Sequence, residues 1–370
     1  MYINRYLESQ VTNSLAEGFV TILYGARQVG KTTLAQKILS QASNGLYLNC
    51  DDPAVQSRLT GQSLAGLRTV LASAKLVVID EAQRIENIGL TAKLIHDSMP
   101  NVKLLLTGSS SLDLANKIKE PLTGRSREIL LYPLGLKEVA NTVIEADGYM
   151  KRLLVYGGYP GLWFLSEQDA AKQAREIANR YLYRDAFSLG TIYDQTVIDN
   201  LLRLLAHQVG NEVSYSELAG SLEVSKETVM RYVDLLEKAF IVFRLPQFRK
   251  NQRVQVGRLR KIYFYDLGMR NALVDDFKPL ELRGDVGALW ENFVLVERLK
   301  KNQAEQKYVR SYYWRSRDKQ EVDLVEESGD NFKAFECKWN KHPRVSGGFL
   351  AAYPDVCVIG VTKTNYWEYL

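Results

Sequence analysis

The sequence predicts an α/β protein that opens with a parallel sheet covered by helices on both faces. Between residues 19 and 132, short apolar runs (FVTILY, GLYLNC, KLVVID and VKLLLTG) alternate with helix-length amphipathic stretches. Strands that alternate with helices pair in parallel. Each run is nearly continuous in Val, Ile and Leu, as strands buried on both faces require.

Later elements follow from changes of pattern. From Pro133 to about Gly190 the chain turns helical, broken at Tyr156–Pro160 by YGGYP, whose glycines and proline end any helix. Between Asp194 and Phe243 three helical stretches follow, with Ser214 and Ser225 at N-cap positions and the short connection EVS of a helix-turn-helix between the last two. After Gly284 come a long helix, VGALWENFVLVERLKK, and the strand-like runs YVRSYYW, QEVDLVEE, NFKAFECK and DVCVIGV, which predict a second, mixed sheet.

Composition bounds the function. With 370 residues, 46% apolar and 25% charged, the chain has room for two to three globular domains. No apolar run reaches the roughly 18 residues that cross a bilayer, and MYINRYLESQ lacks the apolar core of a secretory signal, so a cytoplasmic location and no membrane partner are expected. Cys50, Cys337 and Cys357 have no CxxC spacing, and His96, His207 and His342 are scattered among them, which excludes zinc patterns.

The segment GARQVGKT (Gly25, Ala26, Arg27, Gln28, Val29, Gly30, Lys31, Thr32), continued by Thr33, fits the phosphate-loop pattern and stands between a strand and a helix. Glycines let successive N–H groups face phosphate oxygens; Lys31 reaches the β- and γ-phosphates, and the Thr32 hydroxyl ligates magnesium. LVVIDE ends a strand in Asp80, placed to hold magnesium through water, and Glu81, placed to activate the attacking water. ATP and Mg2+ are the expected ligands.

These motifs, with LLLTGSS at 104–110, LTGRSREILLYPLGLKEV at 122–139, YGGYPG at 156–161, YLYRDAF at 181–187 and the late EVD and FECK, make the chain resemble the AAA-type P-loop ATPases. It is similar specifically to a prokaryotic group in which the ATPase is followed by a winged helix and a domain of restriction-endonuclease type. The resemblance implies an ATPase core at 1–132, a helical lid at 133–190, a winged helix at 194–265 and a nuclease-like α/β domain at 284–370. It implies that Ser109 is the polar sensor of the γ-phosphate, with Thr107 and Ser110 as alternatives. Arg125 becomes an arginine finger toward a neighbouring subunit, with Arg127 as runner-up, and the chain a homo-oligomer, in the form of a ring. No second sensor arginine stands out; Arg180 and Arg184 lie on a suitable helix.

The whole chain carries only +5, yet residues 244–261 hold seven Lys or Arg and no acid, leaving the remainder at −2. Beside a helix-turn-helix this segment forms a wing, with Arg249, Lys250, Arg253, Arg258, Arg260 and Lys261 directed at DNA phosphates and Lys226, Thr228 and Arg231 on the recognition helix.

Near the end, Glu336 and Lys338 share one strand face at i and i+2, and an antiparallel neighbour can set Asp323 against them. Two hard carboxylates and a lysine suit magnesium-dependent phosphodiester cleavage: the acids hold the metal and Lys338 positions or deprotonates its water. Glu291, on the preceding helix, is a further candidate ligand. The order helical Glu, Asp, then ExK is similar to the PD-(D/E)xK nucleases, with Val322 where that pattern is named for Pro. The expected function is ATP hydrolysis that switches a DNA-acting, nuclease-like C-terminal half. The alternative is an oligomeric signalling or scaffold ATPase whose C-terminal domain binds a protein partner without cleavage.

Overall fold

The computed structural model describes residues 2–108, 121–179, 194–248, 260–340 and 346–370. The chain forms two compact units: one is residues 2–132 with short returns including Lys238–Phe240, and the other holds most of the rest.

The first unit contains α1 (Leu7–Ala16), β1 (Val20–Tyr24), α2 (Lys31–Leu39), β2 (Gly45–Asn49), α3 (Pro53–Leu59), α4 (Leu64–Leu71), β3 (Leu76–Asp80), α5 (Ile88–Ser98), β4 (Lys103–Gly108) and β5 (Ser126–Leu130). Its five strands lie in the order β2-β3-β4-β1-β5, all parallel. β1 and β3 are buried along their whole length, as their apolar runs predict. β2 is not, because it is an edge strand and only part of its surface is covered. Ile22, Val77, Ile79, Leu104 and Leu106 build one core across the sheet. Placing β4 between β1 and β3 leaves the ends of the phosphate-loop strand and the acid strand separated by the end of β4.

The second unit continues with α6 (Leu136–Val139), α7 (Val143–Tyr156), α8 (Pro160–Trp163), α9 (Glu167–Ile177), α10 (Gln195–His207), β6 (Glu212–Val213), α11 (Tyr215–Leu222), α12 (Lys226–Lys238), β7 (Val242–Leu245) and β8 (Arg260–Phe264). It ends with α13 (Leu267–Leu273), α14 (Val286–Ala304), β9 (Arg310–Arg315), β10 (Glu321–Ser328), β11 (Asn331–Cys337), α15 (Gly347–Ala352), β12 (Cys357–Val361) and α16 (Tyr366–Tyr369). Ser214 caps α11 by accepting from the Glu217 N–H, and Ser225 does the same for Thr228 N–H at 3.1 Å.

The helices α6 to α9 cluster with the second unit. Buried polar bonds explain it. Leu136 N–H donates to Glu297 of α14 at 2.8 Å, and Asn271 of α13 donates to the carbonyls of Leu154 and Val155 at 3.0 and 2.8 Å. The YGGYP break serves the same junction: Gly158 N–H donates to Asp266 at 2.7 Å.

Two sheets follow. An antiparallel trio in the order β6-β8-β7 stands beside α10 to α12, and a four-stranded sheet runs β12-β11-β10-β9, antiparallel except for the β11/β12 pair. The two are stitched together. After β7, Phe248 N–H donates to Tyr313 O of β9 at 2.6 Å, and Arg315 pairs with Glu212 of β6 at 2.8 Å. Among the described residues, no helix is long and apolar enough to cross a membrane.

Gly157 has a φ of +77°, and a Cβ there would stand 2.1 Å from an Asp266 carboxylate oxygen. Gly157→Ala therefore meets both backbone strain and a clash, and is expected to cost about 2 to 4 kcal/mol. A thermal unfolding midpoint within a degree of wild type would show that this junction is not held as described.

Candidate functional sites

At the carboxyl end of β1 the chain makes a loop that no other residue types could follow. Gly25 lies at φ +150° with the Leu131 carbonyl 2.3 Å from where a Cβ would be, and Gly30 sits at φ +98° as the N-cap of α2. The loop therefore closes on β5 and aims the amino end of α2 at its own centre, which suits an anion. Lys31 is buried, its ammonium donating to the Gly25 and Ala26 carbonyls at 2.9 and 2.8 Å. Arg5 braces the loop from outside, donating to Val29 O at 2.8 Å and Tyr132 O at 2.6 Å.

Asp80 is the meeting point. It is buried, and three hydroxyls converge on its carboxylate: Thr32 at 2.8 Å and Tyr47 at 2.5 Å on one oxygen, Thr107 on the other. Thr107 also accepts from Glu81 N–H at 3.2 Å, so one side chain of β4 sets both members of the acidic pair. Glu81 itself has a left-handed φ of +53° and accepts from Gln83. Burial and the neighbouring Asp80 charge push the Tyr47 phenol up, so it stays a proton donor. The same two causes push the Cys50 thiol to about 12, which leaves it unreactive.

Arg125 occupies the opposite end of the sheet. Its carbonyl accepts from Val20 N–H at the start of β1, whereas the phosphate loop follows Tyr24, about 13 Å further along the strand. Its Nε donates to Asp97 at 2.8 Å, and Arg127 pairs with Glu17 at 2.5 Å. Neither reaches the phosphate loop of its own chain.

In the second unit, β10 and β11 run antiparallel with Leu324 opposite Phe335, which carries Asp323 next to Glu336. Both are buried. Lys338 bonds to the two carboxylates at 3.1 and 3.2 Å, and Cys337 N–H donates to Asp323 at 2.7 Å. Glu291 of α14 stands alongside, accepting from Tyr263 Oη at 2.5 Å and Lys261 Nζ at 2.9 Å. Burial first, and then the Asp323 charge, raise Glu336 to about 8 and Glu291 to about 7. The Lys338 ammonium is held charged by Asp323 and Glu336 against the effect of burial.

An uncharacterized protein of Mycobacterium tuberculosis is 31% identical over 353 residues, which is 94% of this chain and 76% of that one. The family model described as AAA domain matches residues 17–140. The chain belongs to that protein's family, and its first unit is an AAA-type P-loop ATPase. Family models described as domains of unknown function match residues 148–280 (DUF8612) and 286–366 (DUF4143). A Haemophilus influenzae protein, also uncharacterized, is 25% identical over 354 residues, 88% of this chain and 84% of its own. The Walker-type ATPase of Pyrococcus abyssi has a similar fold, with a TM-score of 0.54 at 17% identity over 74% of this chain and 96% of that one.

The ATPase unit brings Gly25 through Thr33, Asp80 and Glu81 to the carboxyl ends of β1 and β3, which flank β4. Of the sensor candidates, Thr107 is the one that touches Asp80; Ser109 and Ser110 lie outside the described residues, as do Arg180, Arg184, Arg249, Lys250, Arg253 and Arg258. Lys261 corrects an expectation. The basic segment directs it at DNA, but β8 turns it inward, fully buried between Glu291 and Glu321. A charge that is desolvated and paired with two acids cannot serve a phosphate outside. Arg260 keeps partial exposure, and Lys226 and Arg231 are exposed on α12.

Sequence reasoning did not find Arg5, Tyr47 or Glu321. Tyr47 reaches Asp80 only because β2 pairs with β3, and nothing in the order of residues announces that pairing.

A protonated carboxyl competes with a metal ion. With Glu336 raised to about 8, a Mn2+ ion held by Asp323 and Glu336 should bind more tightly as pH rises from 6 to 8, by roughly tenfold per pH unit, and its affinity should level off above. Mn2+ titrations followed by electron paramagnetic resonance that are flat over this range would exclude Glu336 as a ligand.

Proposed function

We propose that the chain is a magnesium-dependent ATP hydrolase whose nucleotide cycle governs a metal-dependent DNA nuclease site in the second unit. The observation that carries the reading is the convergence of Asp323, Glu336 and Lys338, two buried carboxylates sharing one ammonium, on antiparallel strands that follow a helix bearing Glu291.

In the ATPase unit, Thr32 and Asp80 would hold magnesium, their side chains already 2.8 Å apart. Held there, the ion would supply positive charge against the β- and γ-phosphates. Lys31 exchanges its two loop carbonyls for phosphate oxygens, and the loop N–H groups orient the γ-phosphate for in-line attack. Glu81 takes the proton of the attacking water, and Thr107 keeps Glu81 in register with Asp80. Arg125, too far from its own loop, completes the site of a neighbouring copy, so hydrolysis depends on assembly into a homo-oligomer. Arg5 supports the coupling, because one guanidinium binds both the loop at Val29 and Tyr132, the last residue before the chain enters the second unit.

In the second unit the donor set is oxygen only and suits Mg2+ or Mn2+. Asp323 and Glu336 would hold a divalent ion there, which would supply a water of lowered pKa for attack on a phosphodiester. Lys338, part exposed, orients that water and offsets charge on the phosphate. The helices α10 to α12 with the β6-β8-β7 sheet follow the order of a winged helix, and the basic stretch between β7 and β8 falls where its wing would be. Phosphate contacts from Arg249, Lys250, Arg253, Arg258 and Arg260 bring DNA to the site, in a salt-dependent way.

ATP turnover per subunit should rise with protein concentration, vanish in Lys31→Ala and lose its concentration dependence at a low rate, at least tenfold down, in Arg125→Ala. Steady-state phosphate release measures this; a wild-type rate in Lys31→Ala would overturn the ATP site. Plasmid and linear DNA incubated with Mg2+ or Mn2+, with and without ATP, should be cut by wild type and not by Asp323→Ala. No cutting under any condition would leave a scaffold ATPase whose second unit binds a protein partner.

A further inference from the structure

Beside the Asp323–Glu336 pair lies a second concentration of acid. Glu291, Glu321 and Asp323 bring one carboxylate oxygen each within 4.8 Å of the others. Such a group does not stay charged without a cation among its members. Here the protein supplies one. Lys261 Nζ donates to Glu291 at 2.9 Å and to Glu321, and Arg315 stands 3.5 Å from the other side of Glu321.

The two lysines of the region divide the carboxylates between them. Lys338 serves Asp323 and Glu336, and Lys261 serves Glu291 and Glu321. Their freedom differs. The Lys338 side chain is 39% exposed and can turn into water as an ion arrives, whereas that of Lys261 is 1% exposed. β8 anchors Lys261 in register between Glu212 of β6 and Leu245 of β7. The Tyr313 ring lies 5.7 Å from its ammonium, and the Tyr263 hydroxyl shares its Glu291 oxygen. Withdrawing it would leave two partly buried carboxylates without their cation.

We propose that Lys261 is a permanent internal cation that fills the position a second divalent ion would take, so that the site admits one ion only, on the Asp323 and Glu336 side. Lys261 is thus a positioning residue: it holds Glu291 and Glu321 away from the metal and sets the metal stoichiometry. The inference rests on the metal-dependent reading of the second unit, but it does not rest on cleavage.

The test counts Mn2+ bound to the full chain without nucleotide, by electron paramagnetic resonance at saturation, and takes the number lost on Asp323→Asn. Wild type should lose one ion and Lys261→Arg also one, whereas Lys261→Met should lose two. Should Lys261→Met fail to fold, judged by loss of ATP hydrolysis, Lys261→Gln repeats the comparison. Two Asp323-dependent ions in wild type overturn the proposal with no variant needed, and so does a count of one in the neutral variants. Zero ions in wild type overturn the metal-dependent reading together with the proposal. Counts of one and two without any DNA cutting sustain the proposal and sink only the nuclease.

Discussion

The burial of Asp80 is the constraint around which the ATPase unit is organised. A buried carboxylate must have its lone pairs satisfied, and here three hydroxyls from α2, β2 and β4 meet that need. Each donor pins a different element. Thr32 ties the phosphate loop to the acid strand, Tyr47 ties the edge strand to it, and Thr107 extends the set to Glu81. The strand order follows from the same arrangement, since β3 must have β2 on one side and β4 on the other for those hydroxyls to arrive.

The second unit solves a similar problem with more charge. Glu291, Glu321, Asp323 and Glu336 lie together at its sheet, and two lysines carry the compensation of these four carboxylates. Removing one partner of such a buried pair typically costs about 3 to 5 kcal/mol, because the other is left uncompensated. The β6-β8-β7 sheet and the four-stranded sheet are therefore locked together electrostatically as well as by the backbone bond from Phe248 to Tyr313. Both sheets lie within one compact unit.

Much was legible in the order of residues. Continuous apolar runs determined β1, β3 and β4, the glycines of GARQVGKT determined a loop that only they can follow, and the i, i+2 spacing placed Glu336 and Lys338 together. These are local properties, set by backbone sterics and strand periodicity, so a sequence reports them directly. What only the tertiary structure decided are the contacts between segments far apart: Tyr47 on Asp80 across 33 residues, Arg5 on Tyr132 across 127, and Lys261 on Glu321 across 60. Lys261 is the clearest case. By composition it belongs to a basic, solvent-seeking stretch, yet β8 points it inward, where paired carboxylates repay its desolvation. Charge clustering along the chain records how many cations a segment carries; which of them face water is decided by the strand register.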